Sequence, residues 1–302
     1  MNSTVHFFAP GLKHYDVEGF DAEGSCGLAA VSVTGAGCAL NCKHCGKSIL
    51  RFMAPTPTPD ALLAEARRAT AKGAPGLLVS GGSLPDGSVP LEPFLPAIKT
   101  IREELDLPVL VHTGLVHSST AKGLAWAGVD CVLLDVIGHA DTIREVCHLS
   151  ATVGDYERSL SLIADAGLCV APHVIMGLHF GRILGEVNAL GIIARYPVSA
   201  LVMVGFRPIP GTAMARVPPL APESMGQLFR EARLRFPSTP VLLGCERPLG
   251  SHRERTDLIA LDAGLDGIAF PSESAIQFCR KQNRPTRASR TCCSMIRNAS
   301  HE

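Results

Sequence analysis

Eight short, mostly apolar runs recur along the chain. They are "AVSVTG" (30–35), "GLLVSGG" (76–82), "PVLVHTG" (108–114), "VDCVLLDV" (129–136), "LCVAPHVIMG" (168–177), "ALVMVGF" (200–206), "PVLLGC" (240–245) and "DGIAFP" (266–271). Each is nearly continuous in hydrophobicity, as expected of parallel strands covered on both faces. Amphipathic stretches lie between them. "TPDALLAEARRATAKGA" opens on Thr58 and Pro59, a cap and a first-turn proline, and closes near Gly73. "SSTAKGLAWAG" and "DYERSLSLIADAG" also end in glycine. Eight strand–helix units in about 250 residues is the arithmetic of a (β/α)8 TIM-type barrel. A doubly wound open sheet shares this periodicity and is the competing α/β architecture. No linker splits the chain, so residues 1–276 read as one barrel with a short N-terminal extension, and residues 277–302 as a C-terminal tail.

In such a barrel the chemistry sits at the C-terminal ends of the strands. The first run is followed by a loop with Cys38, Cys42 and Cys45, and the second by "SGGS", Ser80 to Ser83. The next runs end in His112 and Thr113, in Asp135, and in His173 and Met176. The sixth leads into "RPIPGT", and the seventh into Cys245 and Arg247. Polar and sulfur-bearing residues thus collect at one rim.

The 28 basic and 28 acidic side chains of the 302 residues balance, which argues against a nucleic-acid partner. The N-terminal residues lack a basic start followed by an apolar run, and no apolar stretch reaches the roughly 18 to 20 residues of a membrane span. The expectation is a cytoplasmic protein, in which the N-x-[ST] matches at Asn2 and Asn298 carry no meaning. Eleven cysteines, an odd number, in a reducing compartment argue against a disulfide framework.

The spacing C-x3-C-x2-C at Cys38, Cys42 and Cys45 points to metal. A structural zinc site wants four ligands, usually two C-x2-C knuckles, and only Cys42 and Cys45 form one. A [4Fe–4S] cluster usually takes four thiolates. Three would leave one iron open, as catalytic metals are left open. This loop resembles the signature of the radical S-adenosylmethionine (SAM) enzymes. The resemblance implies that the open iron binds the methionine part of SAM, which is then cleaved to a 5′-deoxyadenosyl radical. "SGGS" resembles the family's Gly-Gly-Glu segment, which implies that Gly81, Gly82 and Ser83 bind SAM. Ser83 stands where Glu is usual, and His44 where an aromatic residue is common.

For the remaining residues two readings stand. Asp135 either holds the SAM ribose, as the resemblance implies, or caps the next helix. His112 and His173 either face the barrel mouth or lie satisfied beside it. Cys131 and Cys169 read as packing, Cys147 and Cys279 as unremarkable helix residues, and Cys26 as a distant ligand candidate. "RKQNRPTRASRTCCSMIRNAS" has the composition of a disordered tail. Yet a last helix over 272–282 descends roughly 16 Å at about 1.5 Å per residue. The steps from Asn283 to Cys292 can climb back about 30 Å. Cys292 and Cys293 can therefore meet Cys245 at the rim and hold a second, auxiliary Fe–S cluster. Ser294, Arg247, another cysteine or the substrate would complete it.

Further stretches, among them "FFAPGLKHYD", "HVIMGLHFGRILGE", "RPIPGTAM", "LGCERPLG", "GIAFPSESAI" and "TCCS", extend the likeness over almost the whole chain. They resemble the biotin-synthase-like proteins that act in pairs as a two-component lipoyl synthase. The resemblance implies sulfur insertion into the octanoyl chain of a lipoyl carrier protein, with a companion enzyme for the second sulfur, a reducing electron donor, and the auxiliary cluster as sulfur source. Rival readings are a biotin-synthase-type enzyme acting on another substrate and a non-enzymatic Fe–S electron carrier.

Overall fold

The structure, a computed structural model, describes residues 4–11, 15–18, 20 and 26–296. Its strands are β1 (Val5–Phe8), β2 (Ala29–Ser32), β3 (Ala54–Pro55), β4 (Leu77–Ser80), β5 (Val109–His112), β6 (Cys131–Asp135), β7 (Val170–Met176), β8 (Leu201–Gly205), β9 (Val241–Leu243), β10 (Gly267–Ala269) and β11 (Thr286–Ser289). The helices are α1 (Pro59–Ala71), α2 (Leu95–Glu104), α3 (Ser118–Trp126), α4 (Ala140–Glu145), α5 (Val153–Asp165), α6 (Glu186–Ile193), α7 (Pro222–Arg235), α8 (Ser251–Asp262) and α9 (Glu273–Lys281). Every one of the eight apolar runs contains a strand.

All strands belong to one sheet in the order β11-β1-β10-β9-β8-β7-β6-β5-β4-β2-β3, and every pairing is parallel. One face gathers Leu110, Leu133, Ala171, Val202, Leu242, Ala269 and Phe8 into a single inner cluster. Those residues come from strands far apart in the order, so the sheet curls into a partial barrel with its ends at β11 and β3. The other face, with Val79, Val111, Val132, Met203 and Leu243, packs under the helices. Burial of both faces is the reason the runs carry no polar alternation.

Helix ends follow the sequence signals. Thr58 accepts a hydrogen bond from the Ala61 amide, Thr152 and Asp155 form a capping box, and Ser272 caps α9. Gly73, Gly128, Gly167 and Gly264 take positive φ just past α1, α3, α5 and α8, a conformation only glycine adopts cheaply. Among the described residues no helix is long and apolar enough to cross a membrane.

The described part of the tail, up to Ile296, is built into the fold. After α9 the chain turns back and β11 pairs with β1 in register Val5↔Thr286 to Phe8↔Ser289. A 3-10 turn, Cys293–Met295, then enters the inner face of the sheet, and Cys292 through Ile296 are all buried there. The boundary at 276/277 read from composition falls inside α9.

Candidate active site at the strand ends

The cysteine loop is tied to three neighbours. The Ala39 amide donates to the Ser83 carbonyl at 2.8 Å, the Lys43 amide to Val146 at 2.8 Å, and the Met214 amide to Lys43 at 3.3 Å. Within the loop, Thr34 Oγ1 accepts from the Gly82 amide at 2.6 Å and donates to the Gly37 carbonyl at 2.8 Å. Cys38, Cys42 and Cys45 line one cavity of about 320 Å³, together with Ser80 to Ser83, His112 and Asp135.

This donor set suits a cluster. The Cys42 thiol donates to the Cys147 carbonyl at 3.3 Å. The Cys147 thiol beside it, with burial, pushes Cys42 up to about 12; the contact with Cys42, with burial, pushes Cys45 up to about 12. As free thiols they stay protonated, so metal is what would ionise them. His44 Nδ1 is buried without a hydrogen-bond partner among the described residues. Gly82 closes the cradle, because a Cβ there would lie 1.9 Å from the Gly37 oxygen. The need for glycine at 82 is therefore at least partly its packing against the cysteine loop.

A second cavity of about 260 Å³ adjoins the first and holds Cys245, Cys292 and Cys293 with His173, Leu133, Val202 and Val204. The two cavities share His44, Ile49, Leu78, His112, Asp135 and Ile175. Thus the tail cysteines meet Cys245 beside the first cysteine site. Hydrogen bonds from Cys293 and from Ser294 hold Cys292 at about 7, while Cys293, bonded to Cys245 and Cys292, is raised.

His112, Asp135 and His173, from β5, β6 and β7, converge here, the first two on the shared wall and His173 in the second cavity. His112 Nε2 lies 3.7 Å from Asp135 Oδ2, and the two imidazoles lie 5.7 Å apart. Burial, the largest single influence, works against the Asp135 carboxylate, but the charge and hydrogen bond of His112, with His173 and His44, together outweigh it and hold Asp135 down at about 2. The same pairing raises His112 against its own burial. His173 donates from Nδ1 to the Ala171 carbonyl at 3.0 Å, and burial lowers it to about 4, so it is neutral. Asp135 does not cap the following helix; His139 does.

Other expectations need correction. Arg247 is not available as a cluster ligand. Its guanidinium binds both Asp257 oxygens and the carbonyls of Gly244, Ala269 and Phe270, so all five N–H groups are used. It clamps the ends of β9 and β10. Cys169 is exposed at the entrance to β7, not packed, although its carbonyl already accepts from the Val132 amide of β6 at 2.8 Å. Cys131 and Cys279 are buried, as packing requires. The Cys26 thiol lies 3.5 Å from the Gly27 oxygen and lines neither cavity. Cys147 was undervalued: it lines the first cavity and comes within 4.8 Å of donor atoms of Cys42 and His44. Nothing in its local spacing announces this, since 105 residues separate it from Cys42.

Residues 32–181 match the Radical SAM superfamily. Biotin synthase of Syntrophotalea carbinolica is 29% identical over 195 residues, 61% of this chain and 58% of that protein's length. Biotin synthase of Halorhodospira halophila is 27% identical over 249 residues, 79% of this chain and 73% of that one. The crystal structure of methylornithine synthase (PylB) shares the fold with a TM-score of 0.60 at 15% identity, over 89% of this chain and 72% of that one. Residues 32–181 form a radical SAM domain, and biotin synthases are among the distant relatives of this chain.

Proposed function

We propose that this chain is a radical SAM enzyme that inserts sulfur into the octanoyl chain of a lipoyl carrier protein, one of two thiolation steps whose other sulfur comes from a companion enzyme. The observation that carries the reading is the juxtaposition of two cysteine trios on adjoining cavities with a common wall. Cys38, Cys42 and Cys45 would hold a [4Fe–4S] cluster, and Cys245, Cys292 and Cys293 an auxiliary cluster. When bound, the first cluster with SAM supplies a deoxyadenosyl radical and the second supplies sulfur.

The chain's own residues position and shield. The Gly82 amide is spent on Thr34, so the Gly81–Ser83 turn offers the SAM amino group carbonyl oxygens and the Ser83 hydroxyl. Asp135, held ionised, accepts from ribose hydroxyls. His173 presents a neutral Nε2. Leu78, Leu133, Ile175, Val202, Val204 and Phe206 line an apolar path that suits an uncharged alkyl amide. The one Lys or Arg lining that cavity among the described residues, Arg207, is paired with Glu246 at 2.7 Å. Ser294, whose hydroxyl is buried next to Cys293, is a candidate fourth ligand.

The relatives named biotin synthase favour a second reading, thiolation of a different small substrate. One experiment separates them. Anaerobically reconstituted protein, SAM and reductant are incubated with an octanoylated carrier domain or with a biotin precursor. The expected result is deoxyadenosine and a mass gain of one sulfur on the carrier. Deoxyadenosine with sulfur only on the biotin precursor refutes the lipoyl reading; no deoxyadenosine refutes the enzyme.

A further inference from the structure

The chain is neutral overall, yet three loops beside the cavity mouths are not. Residues 33–55, 177–185 and 206–221 carry Lys43, Lys47, Arg51, Arg182, Arg207 and Arg216, and no Asp or Glu. The loops abut. The Met214 amide binds the Lys43 carbonyl, and the Lys43 ammonium lies 5.3 Å from the Phe180 ring centre. At Gly181 a Cβ would lie 2.0 Å from the Pro218 oxygen, so those two backbones touch. Only Arg207 has a carboxylate partner; the other five cations have none among the described residues. Neighbouring rim carboxylates are already paired, Asp141 and Glu145 both with Arg144. The same loops expose Ile49, Phe52 and Ile183, with Phe52 80% accessible.

We infer that this basic, apolar-studded rim is the docking face for an acidic folded protein domain that presents the acyl chain on a lysine arm. The inference rests on the proposed substrate reading and adds the surface that selects its carrier. A partner of opposite charge gains on-rate and register from rim charges, while exposed aromatic and aliphatic side chains supply the contact that charges alone do not. Ile49 lines both cavities, so a domain seated on these loops has its arm at the entrance. A nucleic acid fits less well, because the entrance opens on aliphatic walls and the cations are sparse.

The test uses the full chain, reconstituted with its clusters, and a variant combining Arg51→Glu, Arg182→Glu and Arg216→Glu. These three side chains are exposed and line neither cavity. The probes are an acidic octanoylated lipoyl carrier domain and a short octanoyl-lysine peptide without the domain. At low salt the variant should bind the carrier domain about tenfold more weakly, the gap closing as salt screens the rim. Thiolation of the peptide and SAM cleavage without carrier should be unchanged. If the variant binds the domain as tightly as the wild type, the docking face is overturned, while thiolation of the peptide keeps the substrate reading alive. If the wild type thiolates neither probe, the substrate reading fails; if it also fails to bind the domain, the face fails with it. Loss of transfer-RNA binding in the same variant, with no carrier binding by the wild type, would assign the patch to nucleic acid and overturn the inference.

Discussion

Replacing Gly82 by alanine should cost the cysteine loop most of its iron, although Gly82 itself offers no ligand. The added Cβ would lie 1.9 Å from the Gly37 oxygen, 2.5 Å from Cys38 Cβ and 2.7 Å from Cys38 Cα. All three are fixed loop atoms, so relief requires a backbone shift of more than about 1 Å, in the range where overpacking costs roughly 1–3 kcal/mol. The shift also strains the Gly82–Thr34–Gly37 hydrogen-bond relay, worth roughly 1 kcal/mol per bond. Together these reach about 2–4 kcal/mol. If the strain is released only when the loop abandons its cluster geometry, cluster affinity falls by roughly 30- to 1,000-fold. Gly81→Ala is the matched control. Its Cβ would meet Val33 Cγ2 at 3.1 Å and Thr34 Cγ2 and Oγ1 at 3.2 Å, contacts relieved by a shift of a few tenths of an ångström. Iron and sulfide analysis of anaerobically prepared protein, with the electron paramagnetic resonance signal of the reduced cluster, reads the difference. Gly82→Ala with full iron and wild-type SAM affinity would refute the packing argument.

Four further outcomes are expected. Cys292→Ala with Cys293→Ala should roughly halve the iron per chain and abolish thiolated product while SAM cleavage persists; full iron would remove the tail from the ligand set. Cys147→Ala should leave the first cluster intact, since the Cys42 thiol bonds the Cys147 backbone carbonyl; loss of the reduced-cluster signal would make Cys147 a ligand. Arg247→Met leaves Asp257 buried and uncompensated, and thermal unfolding should show a loss of about 3–5 kcal/mol with unchanged iron per folded chain; a lost auxiliary-cluster signal would restore Arg247 as a ligand. For pH, the folded value of His173, about 4, lies below its ordinary 6.5. The unfolded chain therefore takes up that proton first, and His173 lowers stability progressively as pH falls from 6.5 to 4. Denaturant midpoints at pH 7 and pH 5 should differ less in His173→Gln than in the wild type, and equal differences would contradict the buried neutral imidazole.

The strands most legible in the sequence were those buried on both faces, because burial forces uninterrupted aliphatic runs such as "CVLLD" of β6. Two of the three missed strands lack that constraint, while β1 is buried on both faces but too short to announce itself. β11, "TRAS", is an edge strand with exposed or half-exposed residues, so nothing in its composition separates it from a loop. β3 is two residues long and contains Pro55, and β1 is four residues at the start of the chain. In the site, Cys38, Cys42 and Cys45 were legible because their ligand geometry is local. Cys245 with Cys292 and Cys293 could be joined only through chain reach, which allows a contact without choosing it. Arg247 misled for the converse reason: its partner Asp257 lies in α8, and a guanidinium at a strand end looks the same whether it clamps backbone or faces a ligand.

On the proposed reading, the shared wall carries a chemical requirement of its own. A carbon radical formed there is reduced by any accessible S–H group faster than it can find a distant sulfur. Cys245, Cys292 and Cys293 line the cavity on the other side of that wall, and Cys38, Cys42 and Cys45 line the near one. As thiols all six are potential hydrogen donors to the radical; as cluster thiolates none of them is. Loading both trios is therefore a condition for productive chemistry. The remaining wall obeys the same rule. Leu78 and Ile175 offer no labile hydrogen, and Asp135, held down at about 2, carries no proton to give. His173 has its N–H directed to the Ala171 carbonyl. Partly loaded protein should then return octanoyl chain that has regained a hydrogen atom from a thiol, leaving that sulfur as a thiyl radical. In deuterated buffer, with cysteine S–H exchanged, that failure leaves deuterium on the octanoyl chain at the abstracted carbon. Deuterium incorporation that rises as auxiliary iron falls supports the wall as the radical's path, and incorporation independent of auxiliary iron refutes it.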